Sequence, residues 1–240
     1  MNQLPVPGRD TVYVWTGRAA DDQRELARRL LRRAGGALLG RPEAEIGVGR
    51  APGGRPEVYA ADGRTLPVSV SHVDGVVVVA ARAGGPVGVD VELRRPLPAT
   101  PLARRWYDPD EAAWLAARAE AGRELDFLRL WTAKEAVGKA LGTGLRDGGL
   151  RRRMPPPDDG GGELLRPVPG CPGVRVGHPA GGAGLVLAVA VAGATGPVDV
   201  ALEQRAGHDA ASRSAAVERT SLPVVVRGSW SSRCSVRGRL

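Results

Sequence analysis

"LPVSVSHVDGVVVVAARAGGPVGVDVEL", residues 66–93, is the stretch whose reading decides the fold. Apolar and polar side chains alternate from Leu66 to Ser71, as on a half-buried strand. Asp74-Gly75 is a two-residue hairpin signal. Four valines, Val76 to Val79, then read as a strand buried on both faces. Gly84-Gly85-Pro86 breaks the chain again, and alternation resumes in "VGVDVEL". The pattern predicts a three-strand meander over 66–93.

Toward the N-terminus, "TVYVW" (11–15) reads as a further strand and "DDQRELARRLLRRAGGALLG" (21–40) as an amphipathic helix. At 100° per residue Leu26, Leu30, Ala34 and Leu38 share one face, while Arg24, Arg28, Arg29, Arg32 and Arg33 cover the other. That basic face is either plainly solvated or an anion-binding ridge. "GRAPGGRPEVY" (49–59) is a Gly/Pro loop around Arg55. Toward the C-terminus, Asp108 is placed to cap a helix with Pro109 at its first position and Glu111 completing a capping box. "ELDFLRLWTAKEAVGKAL" (124–141) is a second helix, ended by Gly142 and Gly144. A polar Pro/Gly loop (150–165) and two closing strands, "GVRVGHP" and "GLVLAVAVAG", follow. From Ala201 the periodicity fades into Ser, Arg and Ala, which predicts a disordered tail.

The formal net charge is +8, but the arginines are scattered, without interleaved aromatics or a nucleic-acid motif. The composition therefore argues against nucleic acid as a partner. The longest apolar run is too short to span a bilayer, and "MNQLPVPGRDTVYVW" lacks the pattern of a secretory signal. Cys171 and Cys234 show no metal-ligand spacing. A cytoplasmic protein without a membrane partner is the expectation.

Two features carry chemistry. In "VGVDVE" strand alternation sends Val87, Val89 and Val91 one way and Gly88, Asp90 and Glu92 the other. Two carboxylates beside a glycine are either ordinary solvated acids or the start of a Mg²⁺ site. In "WTAKEAVGKALGTG" (131–144) stand the only two lysines of the chain, Lys134 and Lys139, against 32 arginines. Lysine is a compact cation able to move a proton; arginine is a flat fork that stays charged. Lys134 falls amid the apolar face formed by Phe127, Leu130, Trp131, Val137, Gly138 and Leu141, where a buried ammonium needs a partner. Glu135 and Lys139, at i and i+4, are either a helix surface pair or part of a site. Ser71 and His72, adjacent in a strand, point apart, so they form no Ser-His-Asp arrangement.

"GRPEV", "VSVSHVDGVVVVAA", "VGVDVEL" and "FLRLWTAKEAVGKALGTGL", in that order, resemble the Sfp-type 4′-phosphopantetheinyl transferases over roughly residues 12–200. The resemblance implies an α/β (α+β) fold of two pseudo-twofold-related halves. These would be an N-terminal half (1–85) contacting the nucleotide of coenzyme A and a catalytic half (86–200), with a tail over 201–240. It implies a monomer. It also implies transfer of the phosphopantetheine arm of coenzyme A to a serine of an apo acyl or peptidyl carrier protein, with release of 3′,5′-ADP. On matching positions, Asp90, Glu92 and Glu135 would hold Mg²⁺, and Glu135 and Lys139 would be catalytic. Arg24, Arg55, Ser71, His72, Lys134 and Lys139 would bind coenzyme A. A non-catalytic coenzyme A-binding relative of the same fold is the alternative.

Overall fold

The structure is a computed structural model that describes residues 10–19, 21–51, 53–146, 148–157 and 163–204, and the backbone of 224–225. The first half contains β1 (Thr11–Arg18), α1 (Gln23–Leu39), β2 (Gly47–Arg50), β3 (Pro56–Tyr59), β4 (Thr65–Val73) and β5 (Val76–Ala81). The second contains β6 (Val87–Leu93), α2 (Ala99–Trp106), α3 (Pro109–Ala117), α4 (Glu120–Leu141), β7 (Arg166–Pro167), β8 (Arg175–Gly177) and β9 (Leu185–Val191). The chain then returns to the first half as β10 (Asp199–Gln204) and β11 (Val224–Val225). One sheet has the order β11-β10-β1-β5-β4-β3-β2 and the other β6-β9-β8-β7. In each half the first strand pairs antiparallel with the half's last strand, β1 with β5 and β6 with β9. The earlier strands follow outward in reverse order. The fold is thus mixed α+β with a topology repeated between halves, although the sequence shows no repeat.

The Asp74-Gly75 hairpin forms as the sequence predicts, with both residues at positive φ (26° and 76°). The third strand of the expected meander does not join it. β5 already pairs with β1 on one edge and β4 on the other, so β6 finds no free edge and starts the second sheet. The crossing is fixed by Arg82, which is buried. Its guanidinium pairs with Asp10 and donates to the carbonyls of Ala192 (2.7 Å) and Pro86 (3.2 Å).

Alternation assigns each strand's faces to different cores. Trp15, Val77 and Val79 pack under Leu26, Leu30 and Leu31 of α1. Val12, Val14, Val76 and Val78 meet Val87, Val89 and Val91 and the β9 residues Leu187, Val189 and Val191 between the sheets. Ala188 and Ala190 face Phe127, Leu130, Ala133 and Val137 of α4. Each fully buried valine or leucine contributes roughly 1.5–3 kcal/mol. α4 is covered on nearly every side, so its pattern is less one-sided than a surface helix, and Leu141 of the expected apolar face is exposed. Its backbone lies directly on β6. A Cβ at position 88 would fall 1.9 Å from the Ala136 carbonyl oxygen, so only glycine fits there.

α2 lies in a stretch the sequence reading left unassigned; Pro101 falls in its first turn, where the missing N–H is no loss. Two further expectations change. Asp108 caps α3 by accepting from the Asp110 N–H (2.9 Å), but Glu111 does not close the box; its carboxylate is used in the core, as described below. The tail does not begin at Ala201. Ala201 and Leu202 lie within β10, in parallel register with Tyr13 and Val14, and Glu203 pairs with Arg33 at 2.8 Å. Farther along the expected tail, Val224–Val225 form β11 against β10; the other residues after Gln204, Cys234 among them, lie outside the described residues. So do residues 1–9, on which the reading of a missing secretory signal rests, and 158–162 of the Pro/Gly loop.

Candidate active site

A cleft of about 1130 Å³ opens between the halves. Arg24 and Arg28, on the first turns of α1, line one side with Arg50 and Arg55 from β2 and the loop after it. His72 on β4 and Lys139, Gly142, Gly144 and Arg146 at the end of α4 complete it. Asp21 and Asp22 also line it where Asp22 caps α1, but the arginines and Lys139 outnumber them, so the wall is net positive and suited to phosphate. Arg24, Arg55, His72 and Lys139, which the resemblance assigned to coenzyme A, all line this one cleft. Arg28 belongs to the basic face of α1 that the sequence left open as an anion-binding ridge, one turn after Arg24; Arg50 and Arg146 were not expected, and nothing local signals them.

Arg55 also ties the halves together. One guanidinium nitrogen donates to the carbonyls of Lys139 (2.7 Å) and Ala140 (3.3 Å), among the last carbonyls of α4. The Lys139 carbonyl also accepts from the capping Gly142 N–H (3.2 Å), and a cation at this end is favoured by the helix dipole. The helix ends because Gly142 turns left-handed (φ 76°) and the Thr143 and Gly144 N–H groups fold back onto the Gly138 carbonyl.

Behind the cleft wall lies Asp90, buried on β6. Its Oδ1 accepts from the Ser71 hydroxyl (2.8 Å) and from the Lys139 ammonium (2.7 Å), which also donates to the Val89 carbonyl (2.9 Å). One open reading narrows and one expectation is corrected here. Of the two readings of Glu135 and Lys139, the helix surface pair does not form: the Lys139 ammonium goes to Asp90, and among the described residues Glu135 makes no ion pair. Ser71 does not line the cleft, because strand alternation turns it inward to Asp90 while His72 faces out.

Burial raises the Asp90 pKa, Lys139 and Ser71 oppose the shift, and Glu92 adds to it. The Glu135 pKa is raised by burial first and then by Asp90, against the attraction of Lys139, with Glu92 contributing. Glu92 itself pairs with Arg95 at 2.8 Å. Asp90, Glu92 and Glu135 thus feel one another's charge across the β6–α4 contact, with the Lys139 ammonium on Asp90. Among the described residues no three His, Cys, Asp or Glu side chains converge as a formed metal site. The donor chemistry nevertheless suits a hard divalent cation: all oxygen, mutually repelling and partly desolvated.

Lys134 is not a cleft residue. It is wholly buried on another side of α4, where its Nζ donates to Glu111 (2.6 Å) and the Arg152 carbonyl (2.6 Å) and lies 4.8 Å from the centre of the Tyr107 ring. Glu111 accepts in addition from the Met154 N–H (2.8 Å). The partner that a buried ammonium demands exists, but it serves the core and the segment after α4 rather than a ligand.

Residues 86–166, the span from β6 through α4 to β7, match the 4′-phosphopantetheinyl transferase superfamily. A Synechocystis sp. protein, whose name assigns it provisionally to the 4′-phosphopantetheinyl transferases, is 34% identical over 102 residues, 42% of this chain and 41% of that protein. The 4′-phosphopantetheinyl transferase gsp of Aneurinibacillus migulanus is 34% identical over 77 residues, 32% of each chain. The chain therefore spans less than half the length of the curated relatives it matches. The span similar to the 4′-phosphopantetheinyl transferase superfamily is the one that carries Asp90, Glu92, Glu135 and Lys139.

Proposed function

We propose that this protein transfers the 4′-phosphopantetheine arm of coenzyme A to a serine of an apo carrier protein and releases 3′,5′-ADP. The observation that carries the reading is the Asp90–Lys139 contact at 2.7 Å, beside Glu135 and opening on an arginine-lined cleft. The cleft side chains, Arg24, Arg55 and His72 among them, suit the phosphates of coenzyme A as charged or neutral hydrogen-bond donors, and both walls come from one chain, as a monomer would need.

In the transfer the carrier serine oxygen bonds to the phosphorus that bears the pantetheine arm, and the bond from that phosphorus to the departing 3′,5′-ADP breaks. Glu135, with its raised pKa, is suited to take the serine proton. Lys139 compensates charge on the pyrophosphate from the floor of the cleft. Asp90, Glu92 and Glu135 would hold Mg²⁺, which when bound supplies further charge neutralisation at the pyrophosphate. Such transfers depend on positioning and electrostatics more than on covalent chemistry from the protein. Incubation with coenzyme A, Mg²⁺ and a panel of apo acyl and peptidyl carrier proteins, read by intact mass, tests this. A carrier gaining one phosphopantetheine is expected. No gain on any carrier, with coenzyme A still bound, would leave the alternative of a non-catalytic binding protein.

A further inference from the structure

β6 is the outer strand of its sheet, so its outward N–H groups lack a backbone ladder. Two serines of β4, Ser69 and Ser71, supply the acceptors. The Val89 N–H donates to the Ser69 hydroxyl (3.1 Å) and the Val91 N–H to the Ser71 hydroxyl (3.3 Å). Being two residues apart, both serines face the same way, and side chains replace strand pairing at the seam between the sheets. They differ in one respect. The Ser71 hydroxyl donates a hydrogen bond to Asp90 Oδ1, at 2.8 Å, and Ser69 makes no hydrogen bond to that carboxylate. Lys139 lands on the same oxygen, so Oδ2 accepts no hydrogen bond from a described residue.

We infer that Ser71 is a positioning residue for the proposed transfer. Anchored by the Val91 N–H, its hydroxyl fixes Asp90 by one oxygen and leaves the other for a divalent cation. The inference rests on the proposed function for its kinetic readout, and adds a role for a buried side chain that touches no substrate. It differs from the sequence expectation, in which Ser71 contacts coenzyme A directly.

The test compares Ser71→Ala, Ser71→Thr and Ser69→Ala with wild type. Mn²⁺ binding is measured by electron paramagnetic resonance in the presence of coenzyme A, and the KM for coenzyme A is measured by transfer at saturating Mn²⁺. Loss of a hydrogen bond to a charged group predicts about a tenfold weaker Mn²⁺ affinity in Ser71→Ala. Its KM for coenzyme A should be unchanged, Ser71→Thr should restore Mn²⁺ affinity, and Ser69→Ala should bind Mn²⁺ as wild type does. A raised KM with unchanged Mn²⁺ affinity would make Ser71 a ligand contact and overturn the inference. Equal Mn²⁺ losses in both alanine variants would reduce Ser71 to seam packing and overturn it too. Mn²⁺ binding is read without turnover, so a wild type that binds Mn²⁺ but transfers nothing would count against the proposed function and not against this role.

Discussion

Removing the Lys134 charge should cost stability and leave coenzyme A binding intact. The ammonium is fully buried, holds Glu111 and the Arg152 carbonyl at 2.6 Å each, and lies against Tyr107. Burial dominates its lowered pKa, so the charge is held at the expense of solvation, and Glu111 is its main compensation. In Lys134→Met the Glu111 carboxylate stays buried with only the Met154 N–H to answer it. Breaking a buried pair from one side costs about 3–5 kcal/mol. For a chain of this size that is a fall in Tm of roughly 6–20 °C. Glu111→Gln, which keeps an acceptor for the Met154 N–H, strands the ammonium instead and should cost a similar amount. The double variant removes both charges, so its loss should be smaller than the sum of the two by about 2–3 kcal/mol. Urea and thermal unfolding of the four proteins, with coenzyme A affinity by calorimetry, closes the cycle. A Lys134→Met protein that melts like wild type but binds coenzyme A poorly would refute the reasoning and return Lys134 to the cleft.

Further outcomes follow from the same geometry. Lys139→Arg should lower turnover without lowering Tm, because the guanidinium is bulkier and an unlike proton donor at a site where the ammonium fits between Asp90 and the Val89 carbonyl; single-turnover transfer checks this, and wild-type rates would remove the role given to Lys139. His178 is half-buried, donates to the Arg129 carbonyl at 2.8 Å, and has its pKa lowered to about 4 by desolvation. The unfolded chain therefore binds the extra proton between pH 6.5 and 4, so the contribution is complete above 6.5 and is lost as pH falls toward 4, by about 3 kcal/mol; His178→Asn should flatten that limb of the stability–pH curve. Truncation after Val200 should lower Tm, since it deletes Ala201 and Leu202 from the β1 edge and the Glu203–Arg33 pair; an unchanged melt would show that β10 adds nothing. Gly88→Ala should yield little folded protein, with a cost of about 3 kcal/mol or more, because neither α4 nor β6 can move aside cheaply; soluble yield and Tm measure it.

Local chemistry determined much of this protein from the sequence alone. The hairpin at Asp74-Gly75, the valine strand, α1 and α4 follow from periodicity and turn residues within a few positions of one another. Asp90, Glu135 and Lys139 stood out because residue type and spacing carry their chemistry. Tertiary structure decided what depends on distant edges and faces. β6 left the meander because both edges of β5 were taken, and β10 returned to β1, a partner far away in sequence, where a short segment carries too few residues to announce itself. The helix i,i+4 rule offered Glu135 to Lys139, yet the strand beneath α4 brought Asp90 nearer. For Lys134 the sequence demanded a partner without naming it. Only the packing of α3 against α4 supplied Glu111, because a buried charge is answered by whichever opposite charge the fold sets against it, not by the nearest one along the chain.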